Sequence, residues 1–208
     1  MKPEMKLVAG HRILYVMATL AEYHDALKAR FCPLICQVGP VEAALHLSQY
    51  LATHEKPDLI VSLGSAGSAV LEQAKVYQVS SVSYRDMDAS SFGFEKGTTP
   101  FLDLPAEVKL SHQIPNIASA RLSTGANVVS GEAYKSVDAE MVDMETWAIM
   151  RVCMVFDVPL IGLRGISDGA EPVSEYSDWS RYLKVIDEQL AEAVDSLETA
   201  IANAELTF

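Results

Sequence analysis

An α/β sandwich around one mostly parallel or mixed sheet is predicted by three features of this 208-residue chain. Apolar, β-branched runs bounded by turn residues recur along it, with helical spacing between them. The runs are apolar on both faces, as in strands covered by helices on each side. Half of the residues are hydrophobic and 21% are charged, which supports a large core and argues against a disordered chain. One domain over residues 1–208 is expected.

The elements follow in order. Residues 12–17 read as a buried strand and 21–31 as a short helix. Residues 33–38 read as a second strand, and Gly39-Pro40 opens a helix in which Val41, Ala44, Leu45 and Leu47 keep a 3.6-residue period. Residues 58–63 are a third strand ending in a Gly64–Ser68 turn, and 75–82 a fourth. Short strands at 121–123 and 127–130 flank Thr124-Gly125. A helix is predicted over 143–156, a last strand over 158–164, and a long helix over 180–204. In that helix Ile186, Leu190, Val194, Leu197 and Ile201 make one buried stripe. Residues 84–115, rich in Ser, Gly, Asp and Pro, form the least regular stretch, and a loop of that length is more often functional than idle.

Sixteen basic against 28 acidic side chains leave a net charge of −12. That balance disfavours nucleic acid and anionic membranes as partners, since both call for clustered cations. Cys32, Cys36 and Cys153 show no metal-ligand pattern and read as buried free thiols of a reducing, cytoplasmic protein. Lys2, Lys6 and Arg12 before an apolar run superficially resemble a signal peptide, but a first strand entering a helix accounts for the run better. The five histidines lack ligand spacing, so no metal is expected, and no cofactor.

Four polar groups fall at strand ends, where open α/β sheets bind ligands. Gly64–Ser68 could cradle a ligand with backbone amides and the Ser65 hydroxyl, or be a plain tight turn; it matches neither a dinucleotide fingerprint nor a phosphate loop. Asp143 and Glu145 open a predicted helix, where a carboxylate can simply answer the helix dipole. Asp168 follows the last strand and could close an Asx turn. Glu22 could merely cap a helix.

Taken together these stretches resemble a known family. Leu63-Gly64-Ser65-Ala66-Gly67, residues 86–95 (DMDASSFGFE), Val129-Ser130-Gly131-Glu132-Ala133-Tyr134, Val142-Asp143-Met144-Glu145 and Arg164-Gly165-Ile166-Ser167-Asp168 are similar to motifs of the 5′-methylthioadenosine/S-adenosylhomocysteine nucleosidases, within the nucleoside phosphorylase superfamily. The resemblance implies a three-layer α/β/α sandwich and hydrolysis of a purine N-glycosidic bond. It implies Asp168 as the acid at purine N7, oriented by Ser167, and Glu22 as the base for the attacking water. Glu145 would hold the ribose hydroxyls beside an oxocarbenium-like centre, with Met144 against the sugar. Ser65 and Gly67 would line the site, Tyr134 would stack on the base, and the Lys135 backbone would read its edge. Val38, Phe92 and Phe94 would line a pocket for the 5′ group, which Trp179 would close. A homodimer is implied as well.

Water is favoured over phosphate as nucleophile, because the phosphorylases of this superfamily place an arginine before the glycine turn. Here that stretch reads Val61-Ser62-Leu63-Gly64, without a cation. The chain departs from the family in two places. Only 15 residues separate Glu22 from Val38, and only 10 separate Tyr134 from Glu145; Lys135 also replaces an apolar residue. The substrate therefore stays open among methylthioadenosine or S-adenosylhomocysteine, a futalosine-type nucleoside and an unmodified one. A phosphorylase and an inactive nucleoside-binding protein are the remaining alternatives.

Overall fold

The computed structural model describes residues 2–169 and 175–208. A hairpin opens the chain: β1 (Lys6–Val8) turns through Ala9 and Gly10, both at positive φ, into the antiparallel β2 (His11–Met17). There follow α1 (Asp25–Lys28), β3 (Leu34–Ile35), α2 (Pro40–Thr53), β4 (Leu59–Gly67), β5 (Val76–Tyr84), β6 (Glu107–Lys109), β7 (Ser119–Thr124) and β8 (Met141–Asp143). The chain ends with α3 (Thr146–Phe156), β9 (Leu160–Asp168), α4 (Tyr176–Ser180) and α5 (Leu183–Ala202). Among the described residues nine strands form one mixed sheet in the order β1-β2-β4-β8-β7-β5-β6, with β3 beside β2 and β9 joining β4 to β5. Its centre closes on itself, since β4, β9, β5, β7 and β8 pair in a ring that returns to β4.

Helices cover both faces, giving the three layers. Alternate strand residues feed two cores: Leu14, Val16 and Ile60 pack with α2 and α3, whereas Tyr15, Met17, Leu59 and Val61 pack with the α5 stripe of Ile186, Leu190, Val194, Leu197 and Ile201. Gly165 permits that second contact, because any Cβ there would collide with Ile186. Cys36 and Cys153 are buried free thiols, each pushed up to about 12 by burial. Among the described residues no helix is long and apolar enough to cross a membrane.

The element boundaries differ from expectation where tertiary contacts override local pattern. The helix expected from residue 21 breaks into a 3₁₀ turn (Leu20–Glu22) and the four-residue α1. Buried Asp187 of α5 accepts the N–H groups of His24 and Ala26, both at 2.9 Å, and so fixes that break. The second strand shrinks to Leu34–Ile35, and residues 127–130 form no strand. Gly64 to Gly67, expected as a turn, continues β4 and pairs with β9. Asp143 belongs to β8 rather than to a helix, and Glu145 is the residue just before α3. Short β1, β6 and β8 had no periodic signal of their own.

Candidate active site

The carboxyl ends of β2, β4, β8 and β9 surround a cavity of about 620 Å³, within the usual range for a small-molecule site. Glu22 sits in the 3₁₀ turn just after β2 and is 6% exposed. Its Oε1 accepts the Ser65 backbone N–H at 2.8 Å and the Ser65 hydroxyl at 2.5 Å. Its Oε2 is buried without a partner against Gly64, where a Cβ would lie 3.2 Å away. Burial pushes the Glu22 carboxyl above the usual carboxylate range, against the pull of the Ser65 bonds.

Glu145 lies close by, lining the same cavity, and its Oε1 accepts the Gly39 N–H at 2.8 Å. Gly39 has φ +96° at the start of α2, a conformation that favours glycine, so a helix N-terminus is aimed at the carboxylate. Burial, and then the charge of Asp143, push Glu145 up to about 8. Asp168 ends β9 half-buried, with its Oδ1 accepting the Ser167 hydroxyl. Burial raises this carboxyl too, which favours its protonated form.

Behind the carboxylates lies a network with no counterpart in the sequence reading. Asp143 caps α3 as expected, its Oδ2 accepting the Thr146 backbone N–H at 3.0 Å, and it also forms a fully buried ion pair with Arg164 at 3.1 Å. Arg164 also donates to the Ser62 hydroxyl at 2.9 Å, the Ser62 carbonyl at 3.1 Å and the Thr146 hydroxyl at 2.6 Å. Thr124 donates to Asp143 Oδ1 at 2.6 Å. Between this network and the main cavity is a small space of about 10 Å³ bounded by Glu22, Gly64, Ser65, Glu145 and Arg164, room for about one water molecule.

Glu22, Glu145 and Asp168 all line the main cavity, as do Ser65, Gly67, Met144, Ser167, Val38 and Trp179. Trp179 reaches in from α4, its indole N–H donating to Ser65 Oγ at 2.9 Å. Three other expected residues are placed differently. Phe92 is 84% exposed, and Phe94 packs edge-on against the exposed Phe101, both away from the cavity wall. The Lys135 side chain pairs outward with Glu132 at 2.5 Å, which does not bear on the role expected of its backbone. Tyr134 presents its hydroxyl rather than a stacking face: that oxygen is buried without a partner over Gly67, beside Asp168.

One cation in the cavity wall was missed, Arg85 at the end of β5. Its N–H groups are committed to the carbonyls of Ser123, Asp143 and Asn127 and to Asn127 Oδ1. It staples the loop after β7 instead of standing free for an anion. Its only signal was its place at the end of a strand, within the long irregular stretch.

A family model described as the phosphorylase superfamily matches residues 5–202. The chain belongs to the phosphorylase superfamily. Solved structures share this superfamily fold. A Borrelia burgdorferi protein provisionally assigned as a 5′-methylthioadenosine/S-adenosylhomocysteine nucleosidase and bound to adenine is 24% identical, with TM-score 0.74 over 89% of this chain and 98% of its own. The futalosine hydrolase of Helicobacter pylori is 18% identical, with TM-score 0.77 over 89% and 96%. The Campylobacter jejuni 5′-methylthioadenosine/S-adenosylhomocysteine nucleosidase is 19% identical, with TM-score 0.76 over 91% and 100%.

Proposed function

We propose that this superfamily member is an N-ribosyl hydrolase that cleaves the N-glycosidic bond of a purine nucleoside. Its substrate is 5′-methylthioadenosine and/or S-adenosylhomocysteine, released as adenine and the thioribose. The observation that carries this reading is the convergence of three acids with distinct surroundings on one cavity. Asp168, favoured in its protonated form, donates its proton to purine N7, so that the base leaves as a neutral molecule when the bond from N9 to C1′ breaks. In its ionised form Glu145 answers the positive charge that develops on the ribosyl group; burial and Asp143 hold it at about 8 in the free protein, so this form gains as pH rises. A water in the small space beside Glu22 adds its oxygen to C1′ and gives its proton to Oε2. Phosphate is disfavoured there, because Arg164 is committed to Asp143 and Arg85 to backbone carbonyls.

A panel of purine nucleosides assayed for free base, with and without phosphate, tests the reading. Release from methylthioadenosine at a rate indifferent to phosphate is expected. Strict dependence on phosphate would instead identify a phosphorylase, and no release from any nucleoside would refute catalysis. A second substrate, a futalosine-type nucleoside, belongs in the panel because a futalosine hydrolase shares the fold. The exposed Phe92 and Phe101 side chains support a homodimer as the working form, with them covered by a second copy.

Glu145→Gln separates catalysis from stability. The neutral amide cannot answer the ribosyl cation, so kcat should fall about 100-fold or more. Stability should move the other way. Glu145 has a folded value of about 8 against an ordinary 4.5, so between these pH values the folded chain holds more protons than the unfolded one. Its contribution is therefore fully present below the ordinary value and is lost as pH rises through the folded one. A thermal melt at pH 8.5 should place the variant on the order of 5 °C above the parent, with the gap closing near pH 4.5.

A further inference from the structure

Trp179, Ser65 and Glu22 form a chain of hydrogen bonds that the proposed reaction does not by itself require. The indole N–H donates to Ser65 Oγ at 2.9 Å, and that hydroxyl donates to Glu22 Oε1 at 2.5 Å. A serine hydroxyl has one proton and two lone pairs, so an N–H held at one lone pair restricts where the proton can point. It points here to Glu22. The Ser65 backbone N–H gives Oε1 a second bond at 2.8 Å. One carboxylate oxygen is thus occupied twice, while Oε2 lies free against Gly64 at the water-sized space. Donation into Ser65 also polarises its own O–H, which strengthens the bond to Glu22.

We propose that Trp179 is a positioning residue: its indole N–H sets the Ser65 hydroxyl, and through it aims the Glu22 carboxylate at the attacking water. A phenylalanine would cover the cavity as well but could not make this bond, so the indole nitrogen has a function separate from closure. Its helix, α4, also brings Tyr176 to the cavity wall, and the two rings pack edge-on at 5.1 Å. The inference rests on the proposed hydrolysis.

The charged and titratable groups around Glu22 are Arg164 on β9, Asp143 on β8, Glu145 before α3 and the Cys36 thiol after β3. None of them changes in Trp179→Phe, so a shift in Glu22 titration reports on the indole bond. The variant should lower kcat about 10-fold with KM changed less than threefold. The acidic limb of kcat/KM should move to higher pH, because Glu22 loses part of the hydrogen bonding that offsets its burial. Ser65→Ala should produce a shift in the same direction and at least as large, and the double variant should be no worse than Ser65→Ala alone. A raised KM with kcat and the limb unchanged, or effects of the two substitutions that simply add, would overturn the proposal. Titration of Glu22 by carbon NMR, in parent and Trp179→Phe protein, needs no turnover. Should the nucleoside panel yield no free base, the hydrolase reading fails, and the NMR titration still decides whether Trp179 sets Glu22. An unchanged Glu22 titration overturns that contact whatever the activity.

Discussion

Asp168→Asn should lower kcat for base release by about 1,000-fold while leaving nucleoside binding within a few-fold of the parent. An asparagine keeps the shape, and its amide can still donate a hydrogen bond to N7, but it has no proton to transfer there. The leaving base would then depart with its electron pair uncompensated, and the lost stabilisation falls in the transition state rather than in the bound ground state. Single-turnover kinetics with equilibrium dialysis separates the two effects. Activity that is unchanged, or lost together with binding, would remove Asp168 from the proposed role.

Asp143→Ala should be the most damaging substitution for stability, about 3–5 kcal/mol, because it leaves the Arg164 guanidinium buried without its counter-charge. For a chain of this size that is a fall in Tm of roughly 10 °C or more. The energy comes less from the attraction of the pair than from stranding one charge: Arg164 is 2% exposed and Asp143 6%. Removing both charges in Asp143→Leu/Arg164→Met should recover much of the loss. Calorimetry of the two variants distinguishes a stranded charge from simple loss of packing, which would make the double variant the worse of the two.

These two predictions differ in where their warrant was visible. Asp168 was legible in the chain itself, since Ile166-Ser167-Asp168 follows a buried apolar run and carries a family resemblance. Asp143 was read as a helix-opening acid, because two adjacent carboxylates before an apolar helix look alike in sequence. The fold separates them: Asp143 ends β8, caps α3 through the Thr146 N–H and pairs with Arg164, whereas Glu145, the residue just before α3, faces the cavity. The glycine run shows the same limit. Gly64–Ser68 has the composition of a turn, yet it remains strand through Gly67, because Glu22 and Tyr134 approach that backbone closely and only small residues admit them. Tyr134 was assigned a stacking role by its place in a motif, and the structure aims its hydroxyl inward over Gly67.

By itself the sequence determined the alternation of strands and helices, the buried stripe of α5 and the residue types available for acid–base chemistry. Those are local properties, set by spacings of two to four residues and by the chemistry of single side chains. The tertiary structure alone decided which acids share a cavity, which acid is neutralised behind it and what aims Glu22. Such decisions join distant positions, 21 residues apart for Asp143 and Arg164 and 114 apart for Ser65 and Trp179. Their energies arise from burial, and burial exists only once the chain has folded around them.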